Sequence, residues 1–189
     1  MDRLLRHIQA SFPSISQASL RLIQSSFVRV EKKKGEFLLK QGQICRHLYF
    51  LIEGMSRSYF VKDGNEITTW FGFQDEFITS YISFFSNVPS YESIDMMSDG
   101  VLYQIAYEQL MDKRNQSVEL EKVVNYFSIQ YTIQLENRLL MLQTQSAAEK
   151  YRLIMQQEPH LIQHIPSKHL ASYLGISRET LSRIRSGIY

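Results

Sequence analysis

The sequence predicts an α+β protein in three parts. Residues 1–116 are expected to hold helices followed by an antiparallel barrel, roll or sandwich. Residues 117–143 are expected to form one long helix, and residues 144–189 a helix-turn-helix domain. Three observations carry this reading. Short apolar runs separated by turn residues recur between Phe27 and Ala106, the pattern of a small antiparallel β domain. Residues 117–143 contain neither Gly nor Pro. Residues 165–185 place a helix opening, a glycine and a second helix cap at the spacing of two crossed helices.

Composition excludes several classes. The chain has 189 residues, 44% hydrophobic and 21% charged, as in ordinary globular proteins and unlike disordered or fibrous ones. No apolar run reaches the roughly 18 residues that span a bilayer, so no membrane partner is expected. Met1-Asp2-Arg3-Leu4-Leu5-Arg6-His7 lacks the apolar core of a secretory signal. Cys45 is the single cysteine, which excludes an intrachain disulfide and a cluster held by several cysteines of this chain. Both features point to the cytoplasm. Net charge is only +2, but the C-terminal 46 residues carry 6 Lys/Arg against 3 Asp/Glu. A short basic end on a near-neutral chain fits an anionic partner there.

The elements follow in order. Leu4, Leu5 and Ile8, then Leu20, Ile23 and Phe27, recur at helical spacing. Phe12-Pro13-Ser14 divides them, with Ser14 or Ser16 as the second cap. Val28 and Val30 alternate with polar neighbours, and Lys32-Lys33-Lys34-Gly35 is a turn. Leu48-Tyr49-Phe50-Leu51-Ile52 reads as a buried strand. Asp63-Gly64 is the strongest hairpin signal. Strands are expected again over 67–73 and 94–105, then a helical turn over 107–112.

The long helix of about 27 residues would measure about 40 Å. Leu120, Val124, Phe127 and Tyr131 form one stripe, continued by Gln134, Arg138 and Met141. Tyr126, Ile129, Ile133 and Leu140 form a second. Two apolar stripes call for cover on two sides. Leu120, Val124, Phe127 and Tyr131 are taken as the seam with a second copy, which makes the expected state a homodimer. Beyond it, Ser146-Ala147-Ala148-Glu149 opens a helix as a capping box, and Pro159 stops it. Residues 159–166 are not expected to be helical.

The informative stretch is Pro166-Ser167-Lys168-His169-Leu170-Ala171-Ser172-Tyr173-Leu174-Gly175-Ile176-Ser177-Arg178-Glu179-Thr180-Leu181-Ser182-Arg183-Ile184-Arg185. Leu170, Ala171 and Leu174 form an inner face, and small Ala171 lets a second helix approach. Gly175 supplies a left-handed turn. Ser177 caps the second helix, and Leu181 and Ile184 hold it on the core. Arg178, Glu179, Ser182, Arg183 and Arg185 are left to project. Arg forks and a carboxylate at the start of an exposed helix suit base edges in the major groove. Arg178, Glu179 and Arg183 are therefore candidate base readers. Ser167, Lys168, Ser177, Ser182 and Arg185 are candidate phosphate contacts.

This stretch resembles the helix-turn-helix of the Crp/Fnr superfamily, most closely in Ser177-Arg178-Glu179-Thr180-Leu181-Ser182-Arg183. Tyr49-Phe50-Leu51-Ile52-Glu53-Gly54 and Lys62-Asp63-Gly64 are also similar to segments of that family's β-roll. The resemblance implies an N-terminal antiparallel β-roll like the cyclic-nucleotide-binding one, a long dimerisation helix and a C-terminal winged or plain helix-turn-helix. It implies a bacterial sequence-specific DNA-binding transcription regulator whose partners are double-stranded DNA, a second copy and RNA polymerase. In the family the residues matching Arg178, Glu179 and Arg183 read bases.

The effector site departs from the resemblance. Cyclic-nucleotide binders place a Gly-Glu pair and, about ten residues on, an Arg-Ser pair, in which Glu takes the ribose and Arg the phosphate. The turn here resembles Asp75-Glu76-Phe77-Ile78. Those positions then fall on Thr79 and Ser80, and near Ser90 and Tyr91, beside Glu92. No Lys or Arg occurs from residue 63 to residue 112. An anionic phosphate there would lack a cation, so cyclic AMP is not expected to act, and the effector is unassigned. His47 or Cys45 as a haem ligand, a Cys45 redox thiol, and a metal site from His160, His164 and His169 are each outweighed by ordinary surface or core roles. No cofactor is expected. Phosphate-loop, serine-hydrolase and zinc-protease motifs are missing, so an enzyme is not expected. The rival readings are a small-molecule binder or a protein-interaction scaffold whose helix-turn-helix no longer binds DNA.

Overall fold

Two short helices, α1 (Asp2–Ser11) and α2 (Gln17–Ser26), precede the strands. Ser16 caps α2 by accepting the Ser19 amide. The computed structural model describes residues 1–187, the His160 side chain excepted. Eight strands follow: β1 (Val28–Lys32), β2 (Phe37–Leu39), β3 (His47–Glu53), β4 (Ser56–Lys62), β5 (Asn65–Gly72), β6 (Phe77–Ile78), β7 (Ser93–Met96) and β8 (Gly100–Ala106). Between β6 and β7 lies α3 (Tyr81–Ser86), which the periodicity had not indicated. The strands form two four-stranded sheets, in order β1-β8-β3-β6 and β2-β7-β4-β5. Pairs β1/β8, β3/β8 and β4/β7 are antiparallel and join strands far apart in the chain. The β4–β5 turn is Asp63-Gly64, both at positive φ (51° and 76°), as a two-residue hairpin needs.

Helix α4 (Tyr107–Gln116) extends beyond the short turn expected there. The long helix α5 runs from Val118 to Thr144, 27 residues. Then come α6 (Ala147–Gln157), α7 (Pro159–His164), α8 (Ser167–Leu174) and α9 (Arg178–Arg185). The capping box at Ser146 and Glu149 is complete. Pro159 does not end helical structure. It stands at the first position of α7, where its missing N–H and fixed φ are suited to a helix start.

The chain forms two compact units: residues 1–60 with 70–128, and residues 61–69 with 129 onward. In the first, Leu51, Phe84, Ile94, Met96 and Leu102 are fully buried between the sheets. A second cluster joins Leu4, Ile8, Leu20, Ile23 and Phe50 to Leu120 and Val123 of α5.

That second cluster corrects the expected dimer seam. Leu120 is 4% exposed inside its own unit. Val124 packs on the sheet core. The Phe127 ring stacks on His7 with centroids 5.4 Å apart and lies 4.8 Å from the Phe77 ring. Tyr131 is half-buried. The stripe taken as the seam is therefore largely committed to the chain itself. The second stripe is the open one, with Ile129, Ile133 and Leu140 between 45% and 50% exposed. The periodicity was the same for both; only the packing of α1 and β6 against α5 distinguishes them. Phe127→Asp is thus expected to lower stability by about 3 kcal/mol or more, seen as an early thermal unfolding step of the first unit. An unchanged melting temperature with a changed mass would return Phe127 to the seam.

Candidate nucleic-acid interface and the roll interior

The second unit builds its reading head from α8 and α9. Leu170, Ala171 and Leu174 on α8 and Leu181 on α9 are each no more than 1% exposed. Gly175 sits at φ 64°, ψ 35°. The Ile176 amide returns to the Ala171 carbonyl at 3.0 Å and closes α8. Two residues later Ser177 opens α9, its hydroxyl accepting the Thr180 amide at 3.1 Å. With Leu181 turned inward, Arg178, Glu179, Ser182, Arg183 and Arg185 are all exposed.

Glu179 is held in its charged form. Its own backbone amide, and next the Ser177 hydroxyl, pull its carboxyl below the usual carboxylate range, and Arg178 and Arg183 add to the effect. An ionised acceptor flanked by two guanidinium forks is the donor and acceptor set that distinguishes guanine from cytosine. Among the expected phosphate contacts, Ser167 and Arg185 come together: Arg185 Nη1 donates to Ser167 Oγ at 2.7 Å. Lys168 Nζ lies 3.9 Å from Glu66 Oε2. Ser177 is occupied as the α9 cap, and Ser182 stands exposed on α9.

One residue, expected only as part of the α5 stripe, has a partner the sequence did not indicate. Arg138 of α5 donates to the Tyr173 carbonyl at 2.9 Å, and its guanidinium lies 3.7 Å above the Tyr173 ring. Burial draws its pKa down, while Tyr173 opposes the shift. A charge paired and stacked in this way fixes α8 on α5.

The roll interior differs from the expected arrangement. Ser80 and Ser90 do come together, hydroxyl to hydroxyl at 3.0 Å, both buried. Ser90 also donates to the Glu92 carbonyl at 2.8 Å. Thr79 does not join them. Its hydroxyl donates to the His47 carbonyl at 3.1 Å and lies 3.3 Å from Cys45 Sγ. Tyr91 is 49% exposed and meets the Phe60 ring edge-on. One buried cation lies outside the window of residues 63–112. Arg57 on β4 is 5% exposed, stands opposite Asp95 of β7, and reaches its carboxylate at 3.3 Å. Its guanidinium also lies 3.9 Å over the Tyr59 ring. The Cys45 thiol is buried and directed at the His47 carbonyl. No group of three metal-ligating side chains occurs among the described residues. The His160 side chain, one of the three histidines considered, lies outside them.

Residues 29–117 match the family model for the cyclic nucleotide-binding domain. That stretch holds all eight strands but β1's first residue, and its likeness is to that domain. None of the curated proteins matches the chain in sequence. Among solved structures, the chain is similar to FixK2 from Bradyrhizobium japonicum, with TM-score 0.74 and 16% identity over 86% of this chain and 84% of that one. It is similar to the c-di-GMP-responsive global regulator CLP of Xanthomonas campestris, with TM-score 0.71 and 16% identity over 92% and 91%. It is also similar to the Thermus thermophilus catabolite activator protein, with TM-score 0.59 and 21% identity over 94% and 85%. The fold is that of the Crp/Fnr transcription regulators. No helix among the described residues is long and apolar enough to cross a membrane.

Within the roll, the buried Arg57 guanidinium is engaged by Asp95. Asp95 keeps its side chain 18% exposed against a guanidinium 5% exposed, so each relies on the other for compensation. Arg57→Ala should therefore destabilise the domain by about 3 kcal/mol in denaturant unfolding. The exposed Lys62→Ala should stay within about 0.5 kcal/mol. Equal midpoints for the two variants would show that the ion pair carries no stability.

Proposed function

We propose that the chain is a dimeric, sequence-specific DNA-binding transcription regulator of the Crp/Fnr type that works without cyclic AMP. The observation that carries this reading is the capped helix α9. It keeps Arg178, Glu179 and Arg183 exposed while Leu181 anchors it. Arg178, Glu179 and Arg183 read bases in one half-site. Ser167, Lys168, Ser182 and Arg185, with the α9 start at Ser177, meet phosphates. A second copy closes the open stripe of Ile129, Ile133 and Leu140, and the pair spans two half-sites one DNA turn apart. RNA polymerase is the further partner of such a regulator, and the cytoplasm is where it acts. The chain has no catalytic role in this reading. The pairing of Ser80 with Ser90 and of Arg57 with Asp95 supports indifference to cyclic AMP, because a cyclic phosphate would find neutral hydroxyls and an occupied guanidinium.

The test is selection of bound duplexes from a random pool, repeated for Glu179→Ala and Lys168→Ala. Wild type should enrich one two-fold motif, and millimolar cyclic AMP should leave it unaltered. Glu179→Ala should change the preferred bases, at about 1–3 kcal/mol of lost discrimination. Lys168→Ala should weaken all sequences about equally. Enrichment of no motif by any form would leave the interaction-scaffold reading standing instead. A second measurement addresses assembly. Ile133→Asp would place a carboxylate in the closed stripe and should give a monomer in sedimentation with the melting of the first unit retained. A dimer of unchanged mass would move the interface off α5.

A further inference from the structure

The tip of the β4–β5 hairpin, residues 61–69, belongs to the same compact unit as α8 and α9. Its outer strand meets the reading head through one side chain. β5 is the last strand of its sheet. On its edge the Thr68 amide donates to Ser172 Oγ at 2.9 Å, and Ser172 Oγ donates to the Glu66 carbonyl at 3.2 Å. Residues two apart on a strand present amide and carbonyl to the same side. A neighbouring strand would satisfy both with its own backbone. Here a single hydroxyl on α8, acceptor and donor at once, does so.

The charges around this clip are arranged against DNA. Glu66 carries its carboxylate to 3.9 Å from Lys168 Nζ on the first turn of α8. Asp63 at the exposed hairpin tip adds a second negative charge. Between the hairpin and the start of α9 lies a cleft of about 440 Å³, walled by Asn65 and Glu66 on one side and by Lys168, Ser177 and Arg178 on the other. The residues that would meet a phosphate backbone thus face a carboxylate of the same chain. A phosphate approaching Lys168 must displace Glu66 or lie beside it, and like charges at that range repel.

We infer that the β4–β5 hairpin is an autoinhibitory latch on the DNA-reading helices. Ser172 clips the β5 edge, Glu66 takes the place of a phosphate at Lys168, and the state that binds DNA is the unlatched one. The inference rests on the DNA-binding reading of the preceding section and adds an internal competitor to it. The latch is weak by construction, because the ion pair is solvent-exposed, so an effector or the duplex itself can release it.

The experiment compares duplex affinity for wild type, Glu66→Gln, Ser172→Ala, Lys168→Ala and the Glu66→Gln/Lys168→Ala double variant. The probe is the duplex enriched in the selection or, failing enrichment, a random-sequence duplex at low salt. Glu66→Gln and Ser172→Ala should each tighten binding about threefold. The Glu66→Gln gain should vanish when Lys168 is already Ala, the signature of a direct pair, and should shrink as salt rises. Amide hydrogen exchange gives an independent reading. Thr68 should exchange faster in Ser172→Ala, and faster in wild type once duplex is added. Unchanged or weaker binding by Glu66→Gln, or slower Thr68 exchange on adding duplex, would overturn the latch and make the hairpin part of the DNA-bound surface. If wild type and every variant fail to bind any duplex, the DNA reading itself falls. Ser172→Ala exchange at Thr68 would then report a structural contact and nothing more.

Discussion

The packing of α8 against α9 depends on one backbone constraint, the left-handed residue at Gly175. An L side chain at φ 64° is strained by contact between its Cβ and the backbone. Glycine removes that strain, lets Ile176 bond back to Ala171, and ends α8 after two turns. Ser177 then begins a new helix in a new direction. All that follows on α9 derives from this change. Leu181 can reach the apolar interior only because α9 crosses α8 closely at small Ala171, and its inward turn puts the guanidinium groups outside. Arg138 fixes the same region from the other side by holding the Tyr173 carbonyl and ring.

The roll has the architecture of the solved structures it resembles, and its interior polar groups are paired with one another. Ser80 and Ser90 satisfy each other, and Arg57 is held by Asp95 and the Tyr59 ring. Hydroxyl pairs and a compensated ion pair are stable occupants of a roll interior. Each compensates a polar group that burial would otherwise leave unpaired. Conservation of architecture and change of site chemistry are separate properties.

Much of this was legible in the residues, and the exceptions share a cause. The capping box at Ser146, the Asp63-Gly64 turn, the glycine of the helix-turn-helix and the length of α5 are local rules, and each is seen. Helix α3 was missed because Tyr81–Ser86 is a short aromatic run whose periodicity does not separate helix from strand. Helix α7 was missed because Pro159 was read as a stop where it serves as a start. The committed face of α5 and the place of Arg57 are non-local. Both apolar stripes have helical spacing, and only the packing of His7 and Phe77 shows which is used at home. Arg57 reaches Asp95 through strand pairing across 38 residues. No window along the chain contains both partners.

The open stripe on α5 carries a quantitative consequence. Leu120, Val123 and Phe127 tie the opposite face of the helix into the first unit, so the helix cannot rotate to hide Ile129, Ile133 and Leu140. In the dimer proposed above a second copy covers them, and the extent of that cover is set by mass action. While most chains are single, the population of pairs grows with the square of chain concentration. Occupancy of a two-half-site target would inherit that steepness. The dimeric regulator proposed above would therefore respond to its own abundance as a threshold.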